Sequence, residues 1–183
     1  MEKIKLFDKT FKHYISYEKI SHAIDGVAEE INRDFKDCED IPVILCILNG
    51  SIMFTAELMK RLKFNCELVS MKVSSYAGTH STGKVREVLG ITSSIKDRRV
   101  IIVEDIVDTG NTVETLTKLV KEQGASDIKI CTMLFKPEIY AKDIKLDYVA
   151  MSIPNDFIVG FGLDYNEIGR NFKDIYVIDN QNL

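Results

Sequence analysis

The sequence predicts an α/β protein, a mainly parallel, twisted sheet flanked by helices, with a small hood over the strand ends. Three observations predict it. Val100 to Val103 is a run of apolar β-branched residues too hydrophobic for a solvent-facing strand, so it belongs to a sheet covered on both faces. Short apolar runs of this kind alternate along the chain with stretches whose apolar residues recur every three or four positions, the order of parallel strands joined by crossover helices. With 183 residues, 45% hydrophobic and 28% charged, the chain has enough apolar material for one ordinary domain spanning 1–183.

The elements follow in order. Ile20, Ile24, Val27, Ile31 and Phe35 predict an amphipathic helix over 17–37. Val43 to Leu48 is a buried strand closing at Asn49-Gly50. Ser51 to about Leu62 is a helix, and Cys66 to Val73 a strand. Residues 74–84 are small, polar and punctuated by glycine, the composition of a mobile lid. Val85 to Thr92 alternates as a further strand. The Val100–Val103 strand is expected to end at Glu104 and Asp105, with Asp108 in the loop beyond. Val113, Leu116, Leu119 and Val120 then give helical spacing, with Lys118 and Lys121 near the end and Gly124 as a stop. Asp127 to Leu134, Asp147 to Ile153 and Ile175 to Ile178 read as the remaining strands. The less regular stretch of about 153–172 forms the hood together with the N-terminus.

Composition narrows the function. A net charge of −4 and a pI near 5.5 argue against general affinity for nucleic acid. No apolar stretch approaches the roughly 18–20 residues needed to span a bilayer. The first residues lack the apolar core of a signal peptide, so a cytoplasmic location is expected. Cys38, Cys46, Cys66 and Cys131 are scattered without zinc spacing and read as reduced thiols, while His13, His22 and His80 form no cluster.

Residues 98–112 carry the chemistry. Two carboxylates, Glu104 and Asp105, close a buried strand, and Asp108, Thr109, Gly110, Asn111 and Thr112 lead into a helix. Backbone N–H groups in a glycine-containing turn at a helix N-terminus suit a phosphate dianion, and the Thr109 and Thr112 hydroxyls add donors. Three carboxylates within five residues repel one another and a phosphate unless hydroxyls or Mg²⁺ sit between them. The plainer reading is a capped helix start with acids at the positive end of the dipole, and Asn111 to Glu114 does have cap-like spacing. Capping does not require Glu-Asp at a strand terminus.

The segment Glu104 to Thr112 resembles the phosphoribosyl-pyrophosphate signature of type I phosphoribosyltransferases. The surrounding chain resembles the bacterial hypoxanthine (hypoxanthine-guanine) branch of that family. Four further segments stand in the expected order: Leu48-Asn49-Gly50-Ser51, Ser74-Ser75-Tyr76, Phe135-Lys136-Pro137, and Asp156 to Gly160 running on to Leu163-Asp164-Tyr165-Asn166-Glu167. The likeness covers about residues 41 to 180. It implies the type I phosphoribosyltransferase fold and a purine-salvage reaction. The phosphoribosyl group of 5-phosphoribosyl 1-pyrophosphate passes to hypoxanthine, and to guanine, giving IMP or GMP and pyrophosphate. Mg²⁺ is the implied cofactor and a homodimer or homotetramer the implied assembly.

The resemblance also implies roles. Glu104 and Asp105 hold the ribose hydroxyls and, with Asp164, the metal. Asp108 is the general base at the purine N7, a task a carboxylate can perform. Asp108 to Thr112, with Thr109, Gly110 and Asn111 between them, cradle the 5′-phosphate. Lys136 meets the purine 6-oxo group, Phe157 stacks on the base, and Ile158 and Asp164 complete the purine site. Leu48, Asn49 and Gly50, with Arg170, bind pyrophosphate, and a non-proline cis bond is implied between Leu48 and Asn49. Ser75 and Tyr76 belong to the lid. The neutral Asn49 departs from relatives that carry a basic residue there, which leaves the work to backbone amides. Taken alone, Lys136 reads equally as a solvated lysine, Phe157 as core, and Arg170 as a surface ion-pair partner.

Gly78 to Lys84 matches a P-loop except at Val85, where a Ser or Thr hydroxyl would hold Mg²⁺, and a strand pattern follows it instead of a helix. Nucleotide hydrolysis is therefore not expected. Two other readings compete: a nucleotide-sensing regulator on the same fold, and a transferase for xanthine or adenine. Asp108 and Lys136 argue against the first, and Lys136 against adenine.

Overall fold

The computed structural model describes residues 3–75, 85–91 and 93–179. The chain begins with β1 (Lys3–Leu6) and β2 (Lys9–Ile15), then α1 (Tyr17–Phe35), β3 (Val43–Leu48), α2 (Ile52–Met59), β4 (Glu67–Ser75) and β5 (Val85–Leu89). It continues with β6 (Arg99–Val107), α3 (Asn111–Glu122) and β7 (Asp127–Phe135). A single 3₁₀ turn (Pro137–Ile139) precedes β8 (Tyr148–Ser152), β9 (Ile158–Val159) and β10 (Ile175–Ile178).

Among the described residues the main sheet has the order β5-β4-β3-β6-β7-β8. Strands β4, β3, β6, β7 and β8 are parallel, and β5 pairs antiparallel to β4 at one edge. Because strand side chains alternate between faces, β6 feeds two cores. Ile101 and Val103 pack with Ile20, Ile24, Ile31 and Phe54 of α1 and α2, while Val100 and Ile102 pack with Leu116 and Val120 of α3. All of these are buried, and burying each aliphatic side chain is worth about 1.5–3 kcal/mol. The apolar run seen in the sequence is thus a central strand covered on both faces.

The hood is a second sheet of order β1-β2-β10-β9, all antiparallel. Its own core joins Leu6, Phe11, Val159 and Tyr176. Ile175–Ile178, expected to continue the main sheet, pairs here instead. No helix lies between β8 and β10 to serve as the crossover that a parallel return needs. The hood is tied down at the start of α1, where the Tyr17 N–H donates to Asp174 Oδ1 at 2.8 Å.

Four local expectations are corrected. The β6 strand does not end at Glu104 and Asp105 but runs on through them to Val107, because its ladder with β7 continues as far as Val107 opposite Phe135. The α3 helix has no Asn111–Glu114 cap. Gly110 is its N-cap and no side chain caps it; Glu114 turns instead to Lys142 at 2.8 Å and Lys118 at 3.5 Å. The strand from Val85 to Thr92 is observed to Leu89, and the α2 helix is shorter than 51–62. The lid over 74–84 begins on β4, which carries Ser75; Tyr76 and residues 77–84, with the P-loop-like segment, lie outside the described residues. All four cysteines are free thiols, with Cys46 and Cys131 buried.

Candidate active site

A cleft of about 320 Å³ opens at the carboxyl ends of the parallel strands. From β3 and the loop after it come Ile47, Leu48 and Gly50, and from β4 comes Val73. The end of β6 supplies Glu104, Asp105 and Ile106, the next turn Asp108, the first turn of α3 Thr112, and the hood Asp164. Ligands of open α/β sheets bind at this edge, where strand ends and helix starts converge.

The acids are held in unlike environments. Glu104 is buried, and its Oε1 has no hydrogen-bond partner among the described residues. That burial pushes its carboxyl well above the ordinary range, and the charge of Asp105 pushes it the same way. Burial also raises Asp105, to about 6. The Ile106 N–H, donating to Oδ1 at 2.8 Å, and the charge of Arg170 pull it down, while Asp164 pushes it up. Asp108 is exposed at the end of β6 and accepts a hydrogen bond from the Thr109 N–H.

Glu104, buried, and Asp105, half-buried beside it, fit a cation, because their mutual repulsion favours a positive charge between them. Among the described residues no group of three or more His, Cys, Asp or Glu side chains is arranged to hold a metal ion unaided. The donor set therefore suits an ion that brings most of its ligands with it. Mg²⁺ does so, taking one or two carboxylates and completing its shell with water and substrate oxygens.

Beyond Asp108 the chain turns through Gly110 at φ +82°, where a Cβ would run into the Tyr140 ring. This left-handed residue starts α3 without a side-chain cap, so the first-turn N–H groups have no side-chain acceptor. Thr109 and Asn111 are exposed and Thr112 faces the cleft, which leaves the turn open to an anion.

The bond between Leu48 and Asn49 is cis, as the resemblance implied. Gly50 lies against the Asp105 carboxylate so closely that a Cβ there would overlap it. Lys136 does not line this cleft; its N–H donates to the Val107 carbonyl at 2.9 Å, which ties the end of β7 to the Asp108 turn. The Lys136 ammonium donates to Asn155 Oδ1 at 3.2 Å. Sequence reasoning missed Asn155. It also missed Ile47, Val73 and Ile106, although their positions at parallel strand ends were a usable signal.

The hood residues are less converged. Arg170 pairs with Asp164 at 2.7 Å and Glu167 at 3.1 Å and donates to the Gly162 carbonyl at 2.8 Å. It is an ion-pair partner here, tethered beside the cleft. Phe157 is 42% exposed and stands edge-on to Tyr165, with Phe11 on another side, so it is not core. Ile158 is buried in β9. Neither Phe157 nor Ile158 lines the cleft formed by the acids.

A doubly covered parallel sheet with acids and an uncapped helix start at its carboxyl edge suits a sugar phosphate. The family model of the phosphoribosyl transferase domain matches residues 14–166, and the chain belongs to that family. A hypoxanthine-guanine phosphoribosyltransferase of Lactococcus lactis is 41% identical over 176 residues, 95% of this chain and 94% of the relative. One of Streptococcus pneumoniae is 40% identical over 168 residues, 91% of this chain and 92% of the relative. The crystal structure of a hypoxanthine phosphoribosyltransferase from Staphylococcus aureus superposes with a TM-score of 0.85 at 35% identity, covering 92% of this chain and 91% of the other.

Proposed function

We propose that the chain, acting as one domain in the cytoplasm, transfers the phosphoribosyl group of 5-phosphoribosyl 1-pyrophosphate to hypoxanthine and guanine. The products are IMP or GMP and pyrophosphate. The observation that carries this reading is one cleft in which the buried Glu104 and half-buried Asp105 of β6 meet an uncapped, glycine-started helix. The first suits hydroxyls and a cation, and the second suits a phosphate. The 40–41% identity to enzymes named for this reaction supports the choice of base. Its partners are small molecules and further copies of the chain as a dimer or tetramer, not nucleic acid or membrane. No described helix is long and apolar enough to cross a bilayer.

In the reaction the bond from the ribose anomeric carbon to pyrophosphate breaks, and one to the purine nitrogen forms. Thr109 to Thr112 hold the 5′-phosphate through first-turn N–H groups and hydroxyls and fix the ribose. Glu104 and Asp105 take the ribose hydroxyls and the cation, and Asp164 offers a second position. Mg²⁺, when bound there, neutralises charge on the departing pyrophosphate. Asp108, exposed beside the phosphate turn, accepts the proton that the purine loses. Lys136 donates to the 6-oxo oxygen, Phe157 lies over the base, and Ile158 offers backbone groups to its edge. Backbone groups of Leu48, Asn49 and Gly50 receive the pyrophosphate. Arg170 joins them by exchanging a carboxylate partner for an oxyanion, a charge-assisted bond of similar kind. Ser75 and Tyr76 start the lid that keeps water from the reacting carbon.

Steady-state assays with hypoxanthine, guanine, xanthine and adenine test the reading. Hypoxanthine and guanine should be used and adenine essentially rejected, because its amino group would face the Lys136 ammonium donor to donor. Comparable use of adenine would overturn the assignment of Lys136 and the choice of base.

A further inference from the structure

Serine immediately before a helix ordinarily turns its hydroxyl forward to accept a first-turn N–H. Ser51 stands at the N-cap of α2, with φ −77° and ψ −2°, and makes no such bond. Its Oγ points back and donates to the Ile47 carbonyl at 2.7 Å, and its N–H reaches the same oxygen at 3.3 Å. Cys46 Sγ lies 3.3 Å from Oγ; with the hydroxyl proton committed to Ile47, the thiol is the donor. Ser51 is fully buried, so these bonds have no water to replace them.

The bonds tie together the two ends of the turn that carries Leu48, Asn49 and Gly50. The turn is fixed elsewhere as well. The Asp105 carboxylate abuts Gly50 on one side, and Gly162 of the hood packs on the Gly50 carbonyl. Asn49 has no charge of its own to offer an anion, so anion binding here depends on where the backbone amides point, and the turn's shape decides that.

We propose that Ser51 is a positioning residue for the pyrophosphate side of the site. Its hydroxyl holds the Ile47–Ser51 turn in the shape that aims the amides of residues 48–50 at pyrophosphate. It touches no substrate itself. The inference rests on the assignment of this turn to pyrophosphate in the proposed function.

The test uses the full chain with Ser51→Ala and Ser51→Cys, the second filling the same space with a weaker donor. Calorimetry measures the binding of inorganic pyrophosphate with Mg²⁺ and, separately, of IMP. Kinetics measure KM for 5-phosphoribosyl 1-pyrophosphate and for hypoxanthine. In Ser51→Ala the pyrophosphate Kd and the phosphoribosyl-pyrophosphate KM should rise about five- to tenfold, the scale of one buried hydrogen bond. IMP affinity and the hypoxanthine KM should stay within about twofold, and Ser51→Cys should fall between. If Ser51→Ala does not fold, the same split in Ser51→Cys alone supports the proposal. Equal weakening of pyrophosphate and IMP would make Ser51 a residue of general stability and overturn the proposal. Unchanged pyrophosphate affinity would also overturn it. Wild-type protein that failed to bind pyrophosphate with Mg²⁺ would instead overturn the assignment of the turn itself.

Discussion

Replacing Asp105 with asparagine should make the substrate-free protein more stable while impairing its activity. In the folded chain burial raises this carboxyl from 3.8 to about 6, with the charge of Asp164 pushing the same way and that of Arg170 opposing it. A difference of that size corresponds to on the order of 3 kcal/mol at about 1.4 kcal/mol per tenfold change in affinity for the proton. Partial exposure of Asp105 and charge still carried by Glu104 reduce the expected gain to about 1–3 kcal/mol. For a chain of this size that is a rise in Tm of roughly 2–12 °C. The asparagine oxygen can still accept the Ile106 N–H, so the backbone bond survives. The sign fixes the pH dependence. The folded chain holds the Asp105 proton more tightly than the unfolded chain does. Wild-type stability is therefore lost as pH rises from about 4 to about 6, and the loss persists above that window. The variant is spared this loss, so the gap between the two should be absent near pH 4 and complete by pH 7. Thermal unfolding in EDTA from pH 4 to 8 measures it. An Asp105→Asn protein less stable than wild type at pH 7.5, or a gap of equal size at every pH, would refute the reasoning.

Three other outcomes are expected. Asp108→Asn keeps shape and hydrogen bonding but cannot take a proton, so turnover should fall by about 10²–10⁴ while IMP still binds; normal turnover would make Asp108 a structural residue. Lys136→Ala should raise KM for hypoxanthine and guanine and narrow the gap to adenine, as measured by competing the bases; an unaltered ratio would leave the 6-oxo contact without support. EDTA should abolish turnover and added Mg²⁺ restore it, because Glu104 and Asp105 otherwise face a polyanionic substrate uncompensated. Unchanged activity in EDTA would remove the metal from the mechanism.

Much of this was legible in one dimension because burial and period are local signals. Ile20, Ile24, Val27 and Ile31 recur at helical spacing and are buried together on α1; Val43 to Leu48 and Ile175 to Ile178 are strands with the bounds the sequence indicated. The run from Glu104 to Thr112 stood out because its residue types and its place between strand and helix are both written in neighbouring positions. The same signal could not say where β6 ends, since that depends on how far β7 accompanies it.

What the sequence determined by itself was therefore the fold class, the family and the segment that carries the acids. Pairings between residues far apart in the chain belonged to the tertiary structure. It brought Asp174 to the start of α1, 157 residues away, sent β10 into the hood, and tied Arg170 to Asp164 and Lys136 to Asn155. It also turned the Ser51 hydroxyl away from its helix and left one buried Glu104 oxygen without a hydrogen-bond partner among the described residues. A residue's type fixes which bonds it can make, but its partner and its distance from water depend on packing from all sides. That is why the acids could be read from the sequence while their altered proton affinities could not.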